Sequence, residues 1–131
     1  MQVADYMSPA PVTVAAGSDY TRAYELMEAK NLHHLPVVDG SQSVIGIVTR
    51  RDLQLAARCY GAAPVEVSEV MHTPVVTITP DSGLHEAADR MRERGIGSLP
   101  VCESKDGHLV GIITETDLLR ALSELLAERT A

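Results

Sequence analysis

Apolar and polar positions run through the same order of patterns twice along this chain. The first pass opens on Val12-Thr13-Val14, a short β-branched run, followed by Ala15-Ala16-Gly17-Ser18, a turn in which Ser18 is a candidate N-cap. Tyr20, Ala23, Tyr24 and Met27 then recur at i, i+3, i+4 and i+7, one face of an amphipathic helix. Residues 35–38 and 44–49 read as two strands across a polar turn, and a second helix is expected over about 51–60. The second pass repeats the helical face with Leu84, Ala87, Ala88 and Met91, and Gly95 marks its stop. It ends on Leu118, Leu119, Ala121, Leu122, Leu125 and Leu126, apolar at helical spacing within a helix expected over 116–128. Each pass therefore reads strand, helix, strand, strand, helix.

The two passes match residue by residue. Met7 and Met71 lie 64 apart (71 − 7), and the same shift carries Val12–Val14 onto Val76–Ile78 and Ser18 onto Ser82. It also carries Leu35-Pro36-Val37 onto Leu99-Pro100-Val101. From Gly46 and Gly111 onward the shift is 65 (111 − 46), so the second copy has gained one residue. That slip falls between the Leu-Pro-Val strands and the glycines, within the turn-like stretches Asp39-Gly40-Ser41-Gln42-Ser43 and Glu103-Ser104-Lys105-Asp106-Gly107, where insertions are tolerated. Such agreement identifies a tandem duplication, with units at 1–60 and 65–131 and a linker at 61–64. A unit of this size with three strands is marginal alone, so the expected object is an α/β (α+β-like) pseudo-twofold pair of β-α-β-β-α units with clefts between them.

The best-matched stretch is a heptad, Gly46-Ile47-Val48-Thr49-Arg50-Arg51-Asp52 and Gly111-Ile112-Ile113-Thr114-Glu115-Thr116-Asp117. In both, a β-branched strand ends at a threonine and passes into a helix, with an aspartate three residues on. Threonine at the N-cap and an acid at the third helical position make a capping box, which is a sufficient structural reason for the motif. The same place can serve a ligand. A helix N-terminus at a strand's end attracts phosphate, and a carboxylate there can accept both hydroxyls of a ribose.

Eighteen acidic and eleven basic residues give a net charge of −7 over 131 residues, which argues against nucleic acid or anionic lipid as the main partner. No apolar run is long enough to span a bilayer, and the start Met1-Gln2-Val3-Ala4-Asp5 shows no signal-peptide pattern. Cys59 and Cys102 form neither a disulfide framework nor a metal spacing, so a reduced cytoplasmic protein is expected. Cys102 aligns with Val38 and reads as a small buried hydrophobe, and Cys59 as an inert thiol. His33 and His34 have no third ligand at useful spacing, so no metal site is expected. No G-x-S-x-G, P-loop, H-E-x-x-H or C-x-x-C is present, and no nucleophile is paired with a base, so no enzyme activity is expected. The acids of the last helix leave it without the basic face of a membrane-surface helix, and its leucines instead predict a homodimer face.

The ordered set of unit starts (Met7-Ser8-Pro9 and Met71-His72-Thr73-Pro74), L-P-V strands and G-h-h-T-x-x-D heptads resembles a tandem pair of CBS domains, the cystathionine β-synthase repeat or Bateman module. The resemblance covers essentially the whole chain. It implies a disc-like dimer of modules that binds AMP, ADP, ATP, S-adenosylmethionine or a similar adenosyl ligand, with no cofactor required. On this chain the family's ribose acid falls on Asp52 and Asp117, and its ribose- or phosphate-contacting hydroxyl on Thr49 and Thr114. The adenine-flanking backbone falls near Thr13 and Thr77, with the turns to Ser18 and Ser82. Ligand contacts are also implied at His33, His34 and Pro36, and at Gly97, Ser98 and Pro100. Arg50 and Arg51 add cations beside the first helix start, where the second has Glu115 and Thr116, so phosphorylated ligands are expected to prefer the Asp52 half-site. Three readings follow: a free-standing adenosyl-sensing regulatory module, a structural dimerisation module without ligand, and a regulatory fragment of a larger enzyme or transporter.

Overall fold

A computed structural model describes residues 1–104 and 107–130. In chain order the elements are β1 (Ser8–Pro9), β2 (Val14–Ala15), α1 (Tyr20–Lys30), β3 (His34–Val38), β4 (Val44–Thr49) and α2 (Arg50–Tyr60). They continue with α3 (Leu84–Arg94), β5 (Ser98–Cys102), β6 (Leu109–Thr114) and α4 (Glu115–Thr130). Short 3₁₀ turns at Val3–Asp5 and Val67–Glu69 precede β1 and its counterpart segment. The fold is mixed α+β, with sheets ordered β2-β3-β4 and β1-β6-β5. The expected turn over 103–107 has its centre, Lys105 and Asp106, outside the described residues.

The compact units are not the contiguous repeats. One is Val12–Val75; the other joins Met1–Pro11 to the chain from Val76 onward. The opening segment of each repeat has thus been exchanged. In the central unit, His72 bridges Ile47 of β4. In the discontinuous unit, Ser8 and Pro9 of β1 pair with Ile112 and Gly111 of β6. The 3₁₀ turns follow the same exchange: the Val67 N–H donates to Ser18 O at 2.8 Å, and the Val3 N–H to Ser82 O at 2.9 Å. Both valines are fully buried.

A glycine makes each exchange possible. A Cβ on Gly46 would lie 2.5 Å from Met71 Sδ and 3.0 Å from the His72 carbonyl oxygen. A Cβ on Gly111 would lie 2.5 Å from Met7 Sδ and 3.0 Å from the Ser8 carbonyl oxygen. The glycine of each heptad is the floor on which the other repeat's methionine rests.

Six of the eight residues read as helical faces are buried, Tyr20, Ala23 and Met27 in α1 and Leu84, Ala87 and Met91 in α3, while Tyr24 is half-buried and Ala88 lies exposed at the edge of its face. Gly95 ends α3 in the left-handed conformation at φ 64°, as its position predicts, and Asn31 ends α1 likewise at φ 53°. Cys102 is buried, and burial pushes its thiol pKa up; Cys59 is exposed. Two boundaries differ from expectation. The cap of α1 is Asp19 rather than Ser18: its carboxylate takes the Thr21 N–H at 2.9 Å and hydroxyl at 2.6 Å, and an ionised acid suits the positive helix end better than a serine. These bonds, the hydroxyl's first, lower the Asp19 pKa. The equivalent N-cap of α3 is Gly83, while the Ser82 hydroxyl bonds Thr79 Oγ1 at 2.7 Å. The strand expected over 12–14 is Val14–Ala15, because Val14 and Ala15 pair with Val37 and Val38, whereas the next residue of β3 is Pro36, which has no N–H for a ladder. In the second copy this pairing shrinks to a bridge between Ile78 and Val101.

Candidate functional site

Thr49 and Thr114 end β4 and β6 and open α2 and α4, as the strand-to-helix reading requires. The Thr49 N–H donates to Asp52 Oδ2 at 2.8 Å, and the Asp52 N–H donates to Thr49 Oγ1 at 3.2 Å, a complete capping box. In the other copy the Thr114 N–H donates to Asp117 Oδ2 at 2.9 Å, and the Thr114 hydroxyl donates to the same oxygen at 3.2 Å. Both acids are therefore fixed through one carboxylate oxygen, and Oδ1 points to other neighbours. Those neighbours differ. Asp52 Oδ1 lies 2.8 Å from His72 Nε2, whereas Asp117 Oδ1 has Arg120 Nη2 at 3.7 Å.

Neither basic group was legible as part of the site. By the repeat offsets His72 corresponds to Ser8 and Arg120 to Leu55, so each acid acquired its partner at a position where the copies diverged. Arg120 also donates to Tyr6 O at 3.1 Å, and its guanidinium lies 4.8 Å from the Tyr6 ring centroid. The Tyr6 hydroxyl donates to the Glu124 carboxylate, which raises the Tyr6 pKa.

The strand preceding each heptad strand is held to the helix start by one backbone bond. The Arg50 N–H donates to His33 O at 2.9 Å and the Glu115 N–H to Gly97 O at 3.0 Å. With the Asp52 N–H bonded to Thr49, two of the first three N–H groups of α2 are taken. That leaves less of the helix end for a phosphate than the bare motif suggests. The Arg50 side chain has another task as well. It donates to Leu32 O at 3.0 and 3.3 Å and to Met27 O at 3.2 Å, closing a carbonyl of the last turn of α1 and one just beyond its cap. Arg51 is exposed beside Tyr24, Gln54 and Arg58, along the α1 and α2 surfaces.

The remaining expected contacts fall where the strands put them. His34 is half-buried at the start of β3, and Pro36 is buried opposite Ile47. Ser98 is buried at the start of β5, and Pro100 is buried opposite Ile112. Thr13 and Ser18 line a groove of about 780 Å³ together with Asp19, Thr21 and Arg22. Thr77 differs from Thr13: its carbonyl receives Arg90 Nη1 at 2.5 Å, where the first copy has Leu26. Glu115 and Thr116 are both exposed on the first turn of α4. Among the described residues, no group of three or more His, Cys, Asp or Glu side chains could hold a metal ion. Nor is any helix among them long and apolar enough to cross a membrane.

The CBS domain model matches the chain twice, over residues 3–58 and 67–124. A CBS domain-containing protein of Dictyostelium discoideum is 35% identical over 95% of this chain and 92% of its own length. The crystal structure of AcuB from Vibrio cholerae superposes with a TM-score of 0.86 at 36% identity, covering 100% of this chain and 98% of that one. The CBS domain pair of protein MJ0100, solved in complex with 5′-methylthioadenosine and S-adenosyl-L-methionine, gives a TM-score of 0.85 at 27% identity over 95% of this chain and 97% of that one. The chain also spans 24% of a homoserine O-acetyltransferase of Methanohalobium evestigatum, 30% identical over 93% of this chain. With both copies matched and the pair architecture shared, this chain belongs to the CBS domain family, as a tandem pair.

Proposed function

We propose that the chain is a regulatory module that binds adenosine-containing ligands through Asp52 and Asp117. The observation that carries this is the posture of the two acids: each is pinned through Oδ2 to a threonine at a strand-to-helix junction, with Oδ1 presented beside it. A carboxylate held that way can accept a ribose diol, and MJ0100, a protein of the same pair architecture, was solved with two adenosyl compounds. Thr49 and Thr114 supply the adjoining hydroxyls, and Thr13 and Thr77 the backbone flanking the base. Ligand acts by favouring one arrangement of the module over another, which requires unequal affinity for the two. A thermal-shift panel of AMP, ADP, ATP, NADH and S-adenosylmethionine tests the reading. A rise in melting temperature that grows with ligand concentration supports it, and no shift with any of them leaves a structural module. The match to 24% of the length of a homoserine O-acetyltransferase supports the alternative reading, a regulatory fragment of a larger protein.

The dimer reading gains a specific surface. Leu119 is 63% exposed, Leu122 49%, Leu125 42% and Leu126 54%. With Leu84, Ala88 and Met91 of α3, leucines of α4 line an apolar groove of about 730 Å³. Exposed apolar surface of that extent is covered by a partner in most stable proteins, and a second copy of this helix pair offers a matching face. Light scattering should give a dimer at micromolar concentration, and Leu122→Glu should give a monomer. A monomeric wild type would sink the assignment.

A further inference from the structure

The bonding around Asp52 gives a role to a residue outside both heptads. We propose that His72 is a latch on the Asp52 half-site, competing with the ribose diol for Asp52 Oδ1 and so setting that site's selectivity. The proposal rests on the reading of Asp52 as a ribose-binding acid. An ionised carboxylate only accepts hydrogen bonds, so His72 Nε2 carries the proton it donates across 2.8 Å. That is the length of a full charge-assisted bond. Asp52 Oδ2 is already committed to the Thr49 N–H at 2.8 Å, so Oδ1 is the oxygen a diol must approach, and the imidazole stands on it.

The ring is delivered there by the exchanged segment. The His72 N–H donates to Ile47 O at 2.8 Å and the Ile47 N–H to His72 O at 3.3 Å, which straps the segment along β4 only a few residues from the helix start. The strap can lie that close because Gly46 has no Cβ to meet the His72 carbonyl. Two features make this a latch rather than a fixed bond. The His72 side chain is 63% exposed, so the ring can swing into water, and Asp52, 15% exposed, is held in place by its bond to Thr49. The second copy has no such device: Ser8 stands at the equivalent place, and the base facing Asp117 is an arginine 3.7 Å away that also serves Tyr6 O. Asp117 is therefore the half-site that fills first, and Asp52 the half-site that discriminates ligands able to displace an imidazole.

The test uses the full chain with Asp117→Ala to isolate the Asp52 half-site, titrated by calorimetry with AMP and with 2′,3′-dideoxy-AMP. Adding His72→Ala should tighten AMP by about 2- to 5-fold, the scale of an exposed ion pair, and leave 2′,3′-dideoxy-AMP unchanged because it has no ribose hydroxyl to gain the freed oxygen. AMP binding that stays the same or weakens without His72, or a gain equal for both nucleotides, overturns the latch. A ligand-independent readout separates the two levels of the argument. Imidazole nitrogen spectra of the wild type should show a His72 ring protonated at Nε2 that responds to Asp52→Asn. A ring that does not respond overturns the latch whatever the ligand result. A responsive ring with no AMP binding to Asp117→Ala overturns the ribose reading of Asp52 instead, and the latch's function with it.

Discussion

The Asp52 and Asp117 half-sites share a motif, a capping geometry and a strand-to-helix junction, yet no charged neighbour is common to both. Asp52 has a histidine brought by the exchanged segment; Asp117 has an arginine from its own helix one turn on. Behind them the copies diverge again, with Arg50 closing the end of α1 and Arg90 holding the Thr77 carbonyl. Duplication preserved what the fold needs, the cap and the glycine floor. It left the second oxygen of each acid open to change. The lesson is that a twofold motif predicts two positions for chemistry but not two equal chemistries.

The largest expected effect tests what the copies share. Asp52→Ala or Asp117→Ala removes charge-assisted hydrogen bonds worth roughly 1.5–3 kcal/mol, so affinity at the altered half-site should fall about 10- to 150-fold. The fold should persist with the loss of about 1 kcal/mol of capping. Calorimetry and circular dichroism on the same samples check both halves. Unchanged affinity for every adenosyl ligand in both variants would leave the acids as caps alone.

Next is the shared glycine floor. Gly46→Ala and Gly111→Ala each place a methyl group against a methionine sulfur and a backbone carbonyl. Each should lower stability by about 1–3 kcal/mol, read as a lower denaturation midpoint at unchanged slope. Trimming Met71 to Ala should rescue only part of the Gly46→Ala loss, because the His72 carbonyl stays 3.0 Å from the new methyl position. Full rescue would mean the carbonyl is not a constraint, and equal stability of Gly46→Ala and wild type would break the parallel between the two exchanges.

The smallest effect concerns a difference between the copies. Arg50→Ala should cost about 1 kcal/mol of stability through the lost carbonyl bonds to Met27 and Leu32. It should leave the ratio of AMP to adenosine affinity at the Asp52 half-site, measured in Asp117→Ala, unchanged. A ratio that falls several-fold while stability holds would return Arg50 to the phosphate and undo its role at the end of α1.

Much of the architecture was legible because it rests on local chemistry. The i, i+3, i+4 faces of α1 and α3, the left-handed stop at Gly95 and the Thr-x-x-Asp cap each follow from a few neighbouring residues, and the burial of Cys102 follows from its equivalence to Val38 in the other repeat. The exchange of opening segments was not legible. A constant offset shows that Met7 and Met71 are equivalent, and equivalence says nothing of which heptad each one packs on. The carbonyl bonds of Arg50 were hidden for a related reason: their acceptors at Met27 and Leu32 lie 23 and 18 residues upstream in sequence and meet it only in the folded unit. His72 lies 20 residues from Asp52 and outside both heptads. Its one trace in the sequence was a divergence, histidine against Ser8, beside a matched Met. Ser18 lost the capping role to Asp19 through a competition between adjacent good cappers, decided by charge.

The most direct test of the account is a calorimetric titration of S-adenosylmethionine and AMP into the wild type and into Asp52→Ala/Asp117→Ala. Saturable heat with at least one ligand in the wild type, absent from a folded double variant, is the predicted result. Binding that survives in the double variant with its affinity intact would contradict the claim that these two carboxylates hold the ligand.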